Sequence, residues 1–459
     1  MRKTLALLLA AAFLYLTPSY PLSIKSQPLV PPSKFQTAAN PIPNRFIVVL
    51  ATTDLTPIAA PAPTPIAAKP MSASEASVSS AAAMSPDSSS ASFVTEPAPD
   101  SGVVATATSL TSTYGGTFSL TWGVALKGFR LHSTQTQAIS MSQDSRVAFI
   151  VEDGAIAVGT PDAEPILMTP DPAAFQNPQP NASWGLDRIN QRTLPLDKGY
   201  SYNSNGTGVN AYVIDTGILP THWEFQGRAS AIWDFERERN GVDCNGHGTH
   251  VAGIIGGQTF GVAKNVRLFG VRVLNCLGTG AWSDIIDGVN FVTWHSRQSA
   301  QQGTPAVANM SLGGETNRAA EAAVRNSIRA GVTYVVAAGN WNSDAVNYSP
   351  AAVAEAITVG ATDKNDYRAE FSNYGPTLDL FAPGVGIPSA WIGNDLMIAT
   401  ATGTSMAAPH VSGVVAQYLE THRTASPATV RSALVGASTA GVISNPGQET
   451  PNRLLFTNY

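Results

Sequence analysis

The chain has 459 residues, more than one typical domain holds, and reads as two or three folded units with linkers. Hydrophobic residues make up 44% and charged residues only 13%, which excludes a mostly disordered chain. The net charge is −5 and no run of Lys and Arg occurs, so the footprint of a nucleic-acid binder is missing.

Arg2 and Lys3 open the chain, an apolar run over 4–16 follows, and Pro18 and Pro21 end it. The run falls short of the roughly 20 residues that span a bilayer, so residues 1–20 read as an export signal. Residues 45–50 (Arg-Phe-Ile-Val-Val-Leu) read as a buried strand. Ala, Ser, Pro and Thr dominate 52–104, which predicts a flexible insert. Beyond it, Tyr114-Gly115-Gly116 predicts a turn before a strand over 117–124. Ser133 caps a predicted helix through 141, and a strand over 147–151 ends at Asp153-Gly154. Together 41–156 form a small α+β unit, and Pro and Asp over 157–180 predict an exposed linker.

From about 181 the pattern changes. Strand-like runs over 209–214, 266–273, 306–310, 332–338 and 356–360 alternate with helical stretches over 248–256, 283–298, 318–330 and 405–422. This predicts an α/β fold with a mostly parallel sheet. Active residues in such folds gather at the carboxyl ends of strands and in the loops that follow. Three motifs fall there: Asp215-Thr216-Gly217, Asn245-Gly246-His247-Gly248-Thr249-His250, and Gly403-Thr404-Ser405-Met406-Ala407-Ala408-Pro409-His410.

A serine hydroxyl attacks a peptide carbonyl only when a base removes its proton. His247 suits that base, and a buried Asp215 would fix its tautomer and stabilise the imidazolium. Ser405 at a helix start lies in a field that favours negative charge. Asn340 ends the run 335–339, where its amide, with the Ser405 N–H, would donate to an oxyanion. His250 and His410 read as packing or hydrogen-bonding residues. The order Asp, His, Ser excludes the chymotrypsin and α/β-hydrolase arrangements, and no G-x-S-x-G elbow supports an esterase. A catalytically silent binding protein is the alternative, but it would be expected to lack one of these four residues. The two cysteines, Cys244 and Cys276, leave a disulfide, free thiols and a metal pair all open.

Residues 181–459 resemble the subtilase family, and within it the proteinase K group with its aqualysin-like members. The resemblance rests on the three motifs, on Trp184-Gly185-Leu186-Asp187-Arg188-Ile189, on residues 261–264 and 308–314, and on Phe371-Ser372-Asn373-Tyr374-Gly375. It implies a subtilisin-like three-layer fold with a mostly parallel central sheet, preceded by a small α+β propeptide domain. Residues 45–50, Gly128-Phe129 and 145–154 resemble the family's inhibitor-type propeptide. The implied organisation is a signal over 1–20, a propeptide region over 21–176 and a peptidase domain over 177–459, with self-cleavage within a few residues of Gln176–Asn177.

The implied activity is that of a secreted serine endopeptidase made as a zymogen. Its partners would be protein and peptide substrates and its own propeptide, acting as inhibitor and chaperone. It would work as a monomer, with no nucleic acid and no membrane after processing. Ser311, Leu312, Gly313 and Gly314 should pair with substrate on one side, and Leu277, Gly278, Thr279 and Gly280 on the other. Ser311 to Gly313 with Ala337, Ala338 and Gly339 should line an S1 pocket without an acid, which implies broad specificity with hydrophobic or aromatic P1 residues. Cys244 and Cys276 stand where aqualysin-like enzymes carry a disulfide. A structural calcium ion is implied at the Asp379 carboxylate and the carbonyls of Ala354 and Ala356, with no organic cofactor. A second set near Asp187, Gln191 and Asp197 is incomplete, because Asn190 and Gly199 stand where relatives have ligands.

Overall fold

Nine strands form the central sheet, and eight of them run parallel. A computed structural model describes residues 34–51, 96–159 and 164–459. The expected signal and most of the expected insert lie outside the described residues. From edge to edge the strands are Ala229–Asp234, Arg267–Arg272, Asn210–Asp215, Ala306–Met310, Thr333–Ala337, Ile357–Thr362, Leu380–Pro383 and Arg453–Leu454, closed by the antiparallel Thr439–Ala440. The central strands are buried along their whole length, as their Val- and Ala-rich runs require when helices cover both faces.

Helices His247–Gly256 and Thr404–Thr421 pack on one face, in a core that includes Val251, Ile255, Val411 and Val415. Helices Trp282–Ala300 and Arg318–Arg329 pack on the other, with Ile285, Val289, Ala323 and Val324 inward. Each of these Val and Ile side chains contributes roughly 1.5–3 kcal/mol through burial. Asn317 caps Arg318–Arg329 by accepting from the N–H groups of Ala319 and Ala320. No helix among the described residues is long and apolar enough to cross a membrane.

The N-terminal region is a smaller α+β layer. Strands Pro41–Leu50, Thr117–Trp122, Gly128–His132 and Val147–Ala157, with the short Phe35–Gln36, form one sheet. Helices Ser101–Tyr114 and Gln135–Ser142 cover it through Val103, Leu110, Ala138 and Met141. Three details differ from the sequence reading. Asp100 caps a helix that begins at Ser101, where flexible insert was expected through 104. Thr134 rather than Ser133 caps the second helix, in a reciprocal pair with Gln137. The last strand continues past Asp153-Gly154 to Ala157.

That continuation matters for everything below. Asp153 accepts from the Ser283 N–H at the start of helix Trp282–Ala300, and from Arg45 at 2.6 Å. The strand then pairs antiparallel with Thr279–Ala281 of the larger layer, Ala155 opposite Ala281 and Ala157 opposite Thr279. Lys34–Tyr459 accordingly cluster as one unit.

Candidate active site

Asp215 ends strand Asn210–Asp215 and is fully buried. Its Oδ1 accepts from the Thr216 N–H at 2.7 Å and lies 2.8 Å from His247 Nδ1. Its Oδ2 is buried without a hydrogen-bond partner among the described residues. His247 is the first residue of its helix, entered through Gly246 at φ 110°, a conformation that favours glycine. Asp243 organises this entry. One oxygen accepts from Asn245 N–H, Gly246 N–H and the Thr216 hydroxyl, and the other from the Thr249 N–H and hydroxyl. The sequence reading did not single out Asp243. Its signal is an acid four residues before a histidine that opens a helix, where orphan N–H groups need an acceptor. Cys244 and Cys276 are joined by a disulfide, which fastens this loop to the segment before Thr279.

Ser405 is the second residue of helix Thr404–Thr421, where backbone N–H groups have no partner within the helix. Pro409 follows four residues later and has no N–H to offer the Ser405 carbonyl. The Ser311 hydroxyl fills that vacancy, donating to the Ser405 carbonyl at 2.7 Å. The Ser405 hydroxyl in turn donates to the Ser311 carbonyl at 3.0 Å, not to His247. Rotation about its Cα–Cβ bond is the motion that would redirect it. Behind this pair, Asn309 donates to Ser311 Oγ and accepts from Ser412.

Asn340 follows strand Thr333–Ala337. Its amide oxygen accepts from the Thr404 N–H at 2.9 Å and the Thr404 hydroxyl at 2.8 Å, so its NH2 faces the other way. Asn340 and Ser405 line a cavity of about 290 Å³ together with Ser311 to Gly313 and Ala337 to Gly339. Trp341 and Tyr348, stacked at 4.3 Å, and Ala351 also line it. Sequence reasoning missed these three, because 341–351 carries no motif.

The expected substrate strands part company here. Thr279 and Gly280 pair with Ala157 and Ile156, and Gly278 accepts from the Val158 N–H at 2.9 Å. Gly278 has φ 71°, and a Cβ there would meet Val158 at 2.9 Å. Leu277 stands outside this pairing, its side chain exposed to solvent. Gly314 pairs with Ser349 instead. Ser311 to Gly313 form the facing wall, without hydrogen bonds to 155–159 among the described residues.

Comparison with known proteins agrees with this geometry. The profile of the subtilase family matches residues 206–454, more than half of the chain. The chain belongs to the subtilase family. It is a serine-type endopeptidase with the subtilisin-like fold. It is 50% identical over 336 residues to the extracellular serine proteinase of Thermus sp. (strain Rt41A), covering 73% of this chain and 76% of that one. It is 46% identical over 334 residues to alkaline serine exoprotease A of Vibrio alginolyticus, covering 72% of this chain and 59% of that one. The solved structure of a cold adapted subtilisin-like serine proteinase is 48% identical, with a TM-score of 0.57, over 61% of this chain and 99% of that one.

Electrostatics in this subtilase separate its buried histidines. Burial favours neutral His247, but the Asp215 charge, the hydrogen bond to it and the Asp243 charge outweigh burial and raise its pKa above the usual imidazole value. His250 has no such acid. Burial and the nearby His247 push it down to about 3, and its Nε2 bridges the carbonyls of Ile387 and Ala399. Burial likewise takes His410 down to about 4, with Nδ1 on the Met406 carbonyl.

The residues named for calcium do not present a cation site. Asp379 Oδ1 accepts from Arg431 Nε at 2.7 Å, and Oδ2 from the Thr358 N–H at 3.0 Å. The carboxylate already faces a guanidinium, whose positive charge opposes a cation at the same oxygens. This donor set does not fit the ion as arranged, and no step below uses one.

Proposed function

We propose that this subtilase is a secreted endopeptidase that acts through Asp215, His247 and Ser405 and matures by cutting itself. His247 Nε2 takes the Ser405 hydroxyl proton as Oγ attacks the scissile carbonyl carbon. The Asn340 amide and the Ser405 N–H receive the oxyanion. His247 returns the proton to the leaving amine, and water then releases the acyl group by the same route. The observation that carries this reading is the buried 2.8 Å pairing of Asp215 with His247, with Ser405 and Asn340 on one cavity wall.

The cavity lining carries no acid or base and includes Leu312, Ala337, Ala338 and Trp341, which supports broad specificity with hydrophobic or aromatic P1 residues. The leading apolar run and the extracellular Thermus relative support export. The layer over 34–157 supports an inhibitor role, because it covers Thr279–Ala281 with its own strand. The deciding experiment compares wild type with Ser405→Ala, both expressed with residues 1–176. Intact mass and hydrolysis of a peptide with Phe at P1 are recorded. A processed, active wild type beside a silent, unprocessed variant supports the reading; equal behaviour refutes it.

A further inference from the structure

We infer that the first bond this enzyme breaks in its own chain is the one on the carbonyl side of Gly159, and that residues 160–176 stay with the mature enzyme. The inference rests on the proposed nucleophile and adds the self-substrate. Strand Val147–Ala157 does not stop at the rim of the cleft. Ile156 lies opposite Gly280, Ala157 opposite Thr279, and the Val158 N–H reaches the Gly278 carbonyl. Ile156 is buried in the apolar cluster that contains Leu312 and Trp282. Gly159, next along the chain, lines the same cavity as Ser405 and Asn340. The chain therefore lies along the cleft as an extended peptide, which is edge augmentation with a residue of the same molecule. Glycine has no side chain, so the cavity beside it stays open at about 290 Å³.

Residues 166–175 are held by the peptidase layer. Ile166–Leu167 pair with Met397 and Ile398, and the Met168 N–H donates to the Leu396 carbonyl. Phe175 packs edge-on against Trp223 at 5.9 Å, and the Ala174 carbonyl accepts from buried Gln258. These contacts do not depend on the 34–157 layer and survive its release. In the cut, Ser405 Oγ bonds to the Gly159 carbonyl carbon and its proton passes to His247. The C–N bond to Thr160 breaks, and that nitrogen takes the proton from His247. Water hydrolyses the ester, which leaves a Gly159 carboxylate and a Thr160 amine.

The full-length precursor is followed in time by intact mass and N-terminal sequencing. In wild type the first large product should begin at Thr160 and persist with that N-terminus. Gly159→Phe fills the cavity and should speed the same cut at least about tenfold, since even a methylene in an apolar pocket is worth roughly 10–200-fold. A first product that begins near Asn177, with no Thr160 species at any time, overturns the inference; so does Gly159→Phe processing at the wild-type rate. In Ser405→Ala the bond should stay intact. Cutting after Gly159 in that variant at the wild-type rate overturns self-cleavage and the Ser405 assignment. A silent Ser405→Ala beside a wild type first cut elsewhere overturns the position alone.

Discussion

Asn340→Ala tests the electrostatic half of the mechanism. The Asn340 amide oxygen is clamped twice by Thr404, so its NH2 is fixed before substrate arrives. Gly403 leaves it room, because a Cβ added there would lie 3.2 Å from the nitrogen. A preorganised donor costs no reorganisation when charge develops on the substrate oxygen. Its loss should lower kcat by ~10²–10³, about 2.7–4 kcal/mol, and leave KM nearly unchanged. Thr404→Val removes the hydroxyl but not the N–H, so one clamp of two remains. A loss of about 1 kcal/mol, or about fivefold in kcat, follows. The variants should be matured by wild-type enzyme added in trace amounts, then titrated for active sites and assayed on a peptide with Phe at P1. A kcat within about threefold of wild type for Asn340→Ala, or a loss confined to KM, refutes the oxyanion role.

Asp243→Asn removes a buried charge that helps to raise the His247 pKa and weakens the helix entry. The acid limb of kcat/KM should move to lower pH, with about 1–3 kcal/mol lost in urea unfolding; an unmoved limb contradicts the electrostatic link. Asp287, at the wall of a cavity under Glu96 and Leu120, is pushed up to about 7 by burial and by the charges of Glu96 and Asp284, against Arg130 and Arg237. An acid raised in the docked state binds its proton there, so the contribution of Asp287 to docking of the 34–157 layer is fully present below about pH 4 and is lost as pH rises through 7. In wild type the cut layer should leave at least about tenfold faster at pH 7.5 than at pH 4.5, one pKa unit being about 1.4 kcal/mol; Asp287→Asn should flatten that dependence, and an unchanged slope counts against it. Arg431→Ala leaves the Asp379 carboxylate without its guanidinium, at a cost of about 1 kcal/mol for a partly exposed pair. Calcium should then raise the melting temperature more in the variant than in wild type; equal shifts refute the guanidinium as its substitute.

The candidate site was legible where its placement is local. Asp215 ends a strand, His247 and Ser405 lie in the first turns of helices and Asn340 lies just past a strand, and apolar period with glycine punctuation reveals such ends in one dimension. What supports them was not legible, because it comes from distant chain. Pro409 announces that the Ser405 carbonyl lacks its helical partner, but only the fold shows that Ser311, 94 residues away, supplies one. Arg431 lies 52 residues from Asp379 on an ordinary helix, so nothing near the acid foretold its pairing.

Asp153-Gly154 shows how tertiary structure can reverse a local rule. The dipeptide is strong turn chemistry, and the sequence reading ended the strand there. In the fold, the Asp153 carboxylate accepts from the first turn of helix Trp282–Ala300 and from Arg45, so it has no need to fold back on its own backbone. Gly154 meets Trp282, where a Cβ would approach the ring to 3.3 Å. A feature that reads as a stop signal is thus an adhesion point between the two layers. By keeping the strand straight across the interface, it delivers Ala155 to Gly159 into the cleft, and it makes the proposed inhibitor layer and the proposed self-substrate one continuous piece of chain.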